Sequence, residues 1–300
     1  MQGERLMLVR SISVELGLRV AVVSLLGAEV WIHVIQEPPY SAFLWDPDYF
    51  EWAVKIITGE EWRDYLMGPA ADKTVRVCTR AMTILLMLGA IAATCISYRR
   101  WWLRWPLYLS ALILLFISFC KFLSTGYQAP MLLEHALQVT SPVFLVWVIK
   151  EGFSRRLYLI MMAATGLTFA SHGFYALGLG VPVPGHFTDM TMESLGLSES
   201  AARTYLLIAG ILDQIMVISL LIPIARQWAL LYGSCWGFIT ALARLTSYVR
   251  FDVLMGMTLI TYLPQFFVRA PHFLVPLILW TYVRQKRLHS PNQEKDAVIS

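Results

Sequence analysis

The chain is predicted to fold as an all-α, polytopic transmembrane helical bundle of about eight spans, with both termini cytosolic and short interfacial helices outside. Three observations point there. Apolar runs of about 20 residues, the length that crosses a bilayer, recur along the whole sequence. Charged residues are only 15% of the 300, hydrophobic residues 57%, and mean hydropathy is +0.59, whereas soluble domains carry roughly 25% charge. Arginine and lysine gather at alternate turns between the runs, which orients the bundle by the positive-inside rule.

Residues 1–15 carry Glu4, Arg5, Arg10 and Glu15 at helical spacing and are expected to lie as an amphipathic helix on the inner surface. No small-residue cleavage site follows the first apolar run, so span one, residues 17–36, is read as retained. Pro38 and Pro39 stop it. Residues 37–77 form an acidic external interfacial segment with short helices at 48–57 and 60–67, whose Trp45, Trp52, Trp62 and Tyr65 suit the headgroup level.

Span two, 79–97, and span three, 106–123, flank an inner turn crowded with Arg99, Arg100 and Arg104. Trp101, Trp102 and Trp105 beside it read as an aromatic belt. Span four, 130–149, ends inside at Lys150, Arg155 and Arg156. Span five, 157–178, runs outward into an external turn, 179–200, with a short amphipathic helix at 191–197. Spans six and seven are placed at 201–223 and 228–247. Asp252, Pro264 and Arg269 interrupt residues 248–270, which read as an interfacial or re-entrant segment, with His272 at the outer interface just beyond. The last span begins near Pro271 and ends at Arg284, Lys286 and Arg287; seven spans is the alternative if it does not cross. Residues 1–290 thus form one transmembrane domain, and 291–300 a polar tail expected to be disordered.

Charges are expensive in hydrocarbon and usually face the bundle interior, where they pair or bind something. Glu29 and His33, four residues apart on one helix face, Lys121, Glu134, His135, Gln138, His172 and Arg244 all fall in the outer half of the bilayer, and Asp213 nearer its middle. A common outer-facing pocket is expected from that agreement in depth. Three chemistries suit it. His33, His135 and His172 supply imidazole nitrogens for a haem or, with Glu29 or Glu134, for a divalent metal. Histidine beside a carboxylate also suits a proton relay or a quinone site. Lys121 and Arg244 would attract an anionic solute along a transport path. In the external turn, Gly185 gives conformational freedom and Asp189 is placed to orient His186.

The net charge of +4 comes without a basic stripe interleaved with exposed aromatics, so nucleic acid is excluded as a partner. Cys78, Cys95, Cys120 and Cys235 have no CxxC or zinc-ribbon spacing and read as small hydrophobes.

The stretch SHGFYALG, residues 171–178, with the following PVPGHFTDMTMESLGLSESAARTYLLIAGILDQIMVI, resembles the DoxX-like group of small bacterial membrane proteins, which carry a His-Gly turn near the outer end of a helix. The resemblance covers at most residues 157–247, including GFITALARLT, and Tyr175 and Ala176 stand where that group carries a basic residue. It implies a helical bundle in the bacterial inner membrane, associated with a quinone or a membrane redox partner. The reading from sequence is therefore a redox or quinone-associated membrane component surrounded by membrane lipid. Its alternatives are a multi-pass transporter of a small anionic solute and a structural or assembly subunit of a membrane complex.

Overall fold

In the computed structural model the backbone is described for residues 2–248 and 255–298, and side chains for 13–248 and 255–286. Helix α1 (Gln2–Ile35) is the central rod. It runs unbroken, so the amphipathic segment expected at 1–15 is continuous with span one; neither Pro nor a helix-ending Gly interrupts it. Its buried Leu18, Ala21, Val22, Leu25 and Leu26 begin the core.

Three short helices follow, α2 (Ser41–Leu44), α3 (Pro47–Ile57) and α4 (Trp62–Met67), then α5 (Pro69–Cys95), which packs along α1. Helix α5 starts ten residues before the predicted span because Pro69 opens it and Lys73, Arg76 and Arg80 are good helix formers. Its far end is closed by α1. Arg19 donates from Nη1 to the carbonyls of Ala93 (2.6 Å) and Thr94 (2.9 Å) and from Nη2 to Ile96 (2.9 Å), and is held by Glu15 at 2.6 Å. A cation thus satisfies the orphan carbonyls of a helix C-terminus.

A 3-10 helix (Tyr98–Leu103) turns the chain into α6 (Arg104–Ser124). Arg104 lies over the Trp101 and Trp105 rings at 5.1 and 4.9 Å. Gly126 and Tyr127, both at positive φ, then reverse the chain tightly into α7 (Ala129–Leu133) and α8 (Ala136–Glu151). Helix α9 (Arg155–Leu177) ends on left-handed Gly178. Helix α10 (Gly185–Leu195) starts six residues earlier than the helix expected at 191–197, because Pro184 supplies its N-cap geometry, and stops on left-handed Gly196.

Helices α11 (Glu199–Leu221), α12 (Arg226–Thr246), α13 (Met255–Phe267) and α14 (Ala270–Val298) complete the chain. Residues 249–254 of the segment read as re-entrant lie outside the described residues; from Met255 it is the helix α13, packed on α1 and α12. The backbone of α14 stays helical to Val298, through the stretch expected to be an irregular tail.

All regular structure among the described residues is helical, and the chain is an all-α polytopic bundle. Seven segments are long and apolar enough to cross a membrane: Ser13–Ile35, Pro69–Cys95, Tyr98–Ser124, Ala129–Glu151, Arg155–Leu177, Glu199–Leu221 and Met255–Lys286. The predicted eight also counts α12, which is as long as α6 and packs between α11 and α14, but whose polar and aromatic residues keep it out of that set. Outward faces carry Ile84, Ile91, Leu112, Ile208, Ile215 and Ile218, all exposed. Apolar surface on that scale belongs against lipid.

Candidate functional site

Two interruptions in the helices build the site. Between α7 and α8 the chain turns at Glu134 and His135; between α13 and α14 it turns at Val268 and Arg269. The second break has a simple origin: Pro271 has no N–H to offer the carbonyl of Phe267. At the first, His135 Nδ1 donates to the Met131 carbonyl at 2.8 Å, so a side chain takes the acceptor that the helix ladder would use. The two breaks are fastened together. Gln138 Nε2 donates to the Val268 carbonyl at 3.0 Å, and the freed N–H of Leu137 donates to Thr168 Oγ1 at 3.2 Å.

Glu134 sits among three partners. Its Oε1 lies 3.7 Å from His135 Nδ1 and 3.9 Å from Arg269 Nη2, and its Oε2 lies 3.7 Å from His172 Nδ1. Arg269 Nη1 meets His172 Nε2 at 3.0 Å, and Lys121 Nζ meets His135 Nε2 at 3.1 Å. Guanidinium and ammonium groups can only donate, so both Nε2 atoms present lone pairs and both rings carry their proton on Nδ1. In His172 that proton faces Glu134; in His135 it is given to Met131.

Glu29 and His33 form a second pair in α1. His33 Nδ1 donates to the Glu29 carbonyl at 2.7 Å and lies 3.7 Å from its carboxylate, while Nε2 meets the Tyr40 hydroxyl at 2.7 Å. Burial first, then Cys78 and Glu29, pushes the Tyr40 phenol up, so it stays protonated.

Arg244 and Asp213 do not meet. Arg244 Nη1 donates to the Thr240 carbonyl at 2.9 Å, and among the described residues no ion pair to it is formed. Asp213 is buried and accepts from the Tyr232 hydroxyl at 3.2 Å, while its neighbour Gln214 donates to the Ala170 carbonyl at 2.9 Å.

These groups line two adjoining cavities. A polar cavity of about 560 Å³ is bounded by Lys121, Glu134, His135, His186, Arg244 and Arg269. An apolar cavity of about 250 Å³ lies between α9, α11, α12 and α14, with Phe169, His172, Leu206, Asp213, Trp236 and His272 on its walls. Arg244 and Met190 belong to both. His186 is drawn to the mouth of the polar cavity by α10, and its ring is pushed down to about 4, first by loss of water on its protein side and then by the guanidinium groups of Arg244 and Arg269; Asp189 pulls the other way.

Of the residues singled out from sequence, Lys121, Glu134, His135, His172 and Arg244 come together around the two cavities, Gln138 fastens the frame, and Glu29 with His33 flanks it. Asp213 lies on the apolar side with Tyr232. Arg269 and His272 belong to the same cluster, buried at 8% and 2% exposure, although the sequence reading placed them at an interface. Their signal was present as charge and imidazole within an apolar run, which the interruptions at Asp252, Pro264 and Arg269 made read as an interfacial or re-entrant segment.

Metal or haem ligation needs a free imidazole lone pair. Here Nε2 of His135, His172 and His33 each faces Lys121, Arg269 or Tyr40. Among the described residues no group of three or more His, Cys, Asp or Glu is arranged to hold a metal ion, and the engaged Nε2 atoms of these three histidines do not fit ligation of a divalent metal or a haem.

No protein-family model, curated protein or solved structure matches the chain.

Proposed function

We propose that this chain is a multi-pass protein of the bacterial inner membrane that binds a small anion in a cavity reached from the outer side. Such binding is the first step of a carrier for an anionic solute. One observation supports the reading above the others: among the described residues, Lys121, Arg244 and Arg269 share one cavity with a single lining carboxylate, Glu134. Buried cations are costly unless compensated, and this set is short of negative charge. The α8 and α14 N-termini begin beside His135 and Arg269 on the same wall, where helix dipoles add to the attraction for an anion. A volume of about 560 Å³ also lies within the range of small-molecule sites, roughly 300–1,000 Å³. Eight crossings, with α12 among them, put the Arg99, Arg100 and Arg104 turn and both termini on the cytosolic side.

Thermal unfolding of the purified protein with phosphate, sulfate and small carboxylates tests this. At least one anion is expected to raise the midpoint in wild type and not in Arg269→Gln or Arg244→Gln, and Glu134→Gln is expected to bind it about tenfold more tightly. Equal midpoints across the anion panel would count against the proposal.

A quinone-associated role is the second reading. It draws on His172 and His272 lining an apolar cavity and on the resemblance to DoxX-like proteins, which together suit a quinone or a membrane redox partner. Protection of the protein by a short-chain quinone, lost in His172→Phe, is its expected signature; no protection would remove it.

A further inference from the structure

We infer that the anion is the head group of an amphiphile whose apolar part occupies the adjoining cavity. The inference rests on the anion-binding reading and names its ligand class. The two cavities meet across Arg244 and Met190, so a molecule with its charge beside Lys121, Arg244 and Arg269 has an apolar space next to it. A simple inorganic ion has no use for that space.

The apolar cavity is also open on the lipid side. Leu195, Ile239 and Leu242 line it and are themselves exposed, so its wall is continuous with the outer surface of the bundle. A chain entering from the bilayer has an apolar route to the charged groups. A fully water-soluble solute would not need one.

A third observation comes from inside the cavity. His272 is 2% exposed and lines this space, yet its Nδ1 has no hydrogen-bond partner. Buried polar nitrogens are nearly always paired. A hydroxyl lying between an anionic head and its chain would satisfy Nδ1 in either tautomer, and an ester oxygen would do so where Nδ1 carries the proton. The two cavities together therefore offer charge, an unpaired imidazole nitrogen and apolar surface.

The test uses the full chain in phosphatidylcholine nanodiscs, titrated with inorganic phosphate, hexyl, octyl and dodecyl phosphate, and dodecanol, each corrected for uptake by empty nanodiscs. Affinity is expected to rise with chain length, with dodecyl phosphate at least tenfold tighter than inorganic phosphate and dodecanol not retained. Ala209→Phe, which fills the apolar cavity, is expected to erase the chain-length gain and leave inorganic phosphate binding intact. If inorganic phosphate binds and chain length adds nothing, the amphiphile inference is overturned and anion binding stands. If no phosphate binds, both fall. If dodecanol binds as tightly as dodecyl phosphate, the cationic head-group site is wrong.

Discussion

Arg269 in the turn before α14 donates to His172 Nε2 in α9 across 3.0 Å, and this one bond fixes where the ring keeps its proton. The Nδ1–H is left facing Glu134 at 3.7 Å, so a cation, a neutral imidazole and a carboxylate form a closed chain. Nitrogen-15 NMR of the histidines is expected to show His172 as the Nδ1–H tautomer. Arg269→Leu removes the donor and the carboxylate's cation together, and is expected to cost about 3 kcal/mol in unfolding free energy. A tautomer with its proton on Nε2 would contradict the network.

Gln138 joins the two helix breaks through the Val268 carbonyl. Gln138→Leu keeps the packing volume but leaves that carbonyl without its donor, at a cost of about 1–3 kcal/mol. Chemical denaturation in detergent measures it. Loss of anion-induced protection should accompany the change, because Glu134 and Arg269 are aligned by the same bond.

Gly237 tests the approach of α12 to α14. A Cβ there would sit 2.5 Å from the His272 carbonyl oxygen, so Gly237→Ala must push the helices apart and is expected to cost about 1–3 kcal/mol. Gly27 is the control. Nothing lies within 4 Å of its added Cβ, and Gly27→Ala in the middle of α1 should stabilise by about 0.5–1 kcal/mol. The two melting shifts should therefore have opposite signs.

His186 carries a pH dependence outside the membrane-spanning segments. Its folded value near 4 lies below the ordinary 6.5, so between those values the unfolded chain binds more protons and stability through this group rises with pH. His186→Gln should flatten that part of the stability profile. Arg244→Gln should move the His186 titration up, toward 6.5, in a histidine NMR titration. An unshifted titration near 6.5 in the wild type would show that the guanidinium groups do not face the ring.

Much of the bundle was legible because its signals are local. Apolar length, the Pro38 and Pro39 stop, and the Arg99, Arg100 and Arg104 turn each act within a few residues of where they stand. The site was legible only as depth. Glu134, His135 and His172 could be placed at one level of the bilayer from sequence, but their meeting depends on Gln138 reaching across to Val268, a contact between residues 130 positions apart. Arg269 and His272 were misplaced for a related reason. Pro264 looks like an interruption in one dimension, yet α13 runs through it, and it is Pro271 that creates the break beside which both side chains are buried.

Tungstate, a dense analogue of phosphate, tests the central claim directly, since its position can be read from anomalous diffraction of crystals or from cryo-EM density. The expected result is one strong peak within about 4 Å of the Lys121, Arg244 and Arg269 side-chain nitrogens, a distance set by charge-assisted contact, which excess phosphate displaces. A polar cavity that shows no peak at tungstate concentrations saturating other anion sites would contradict it.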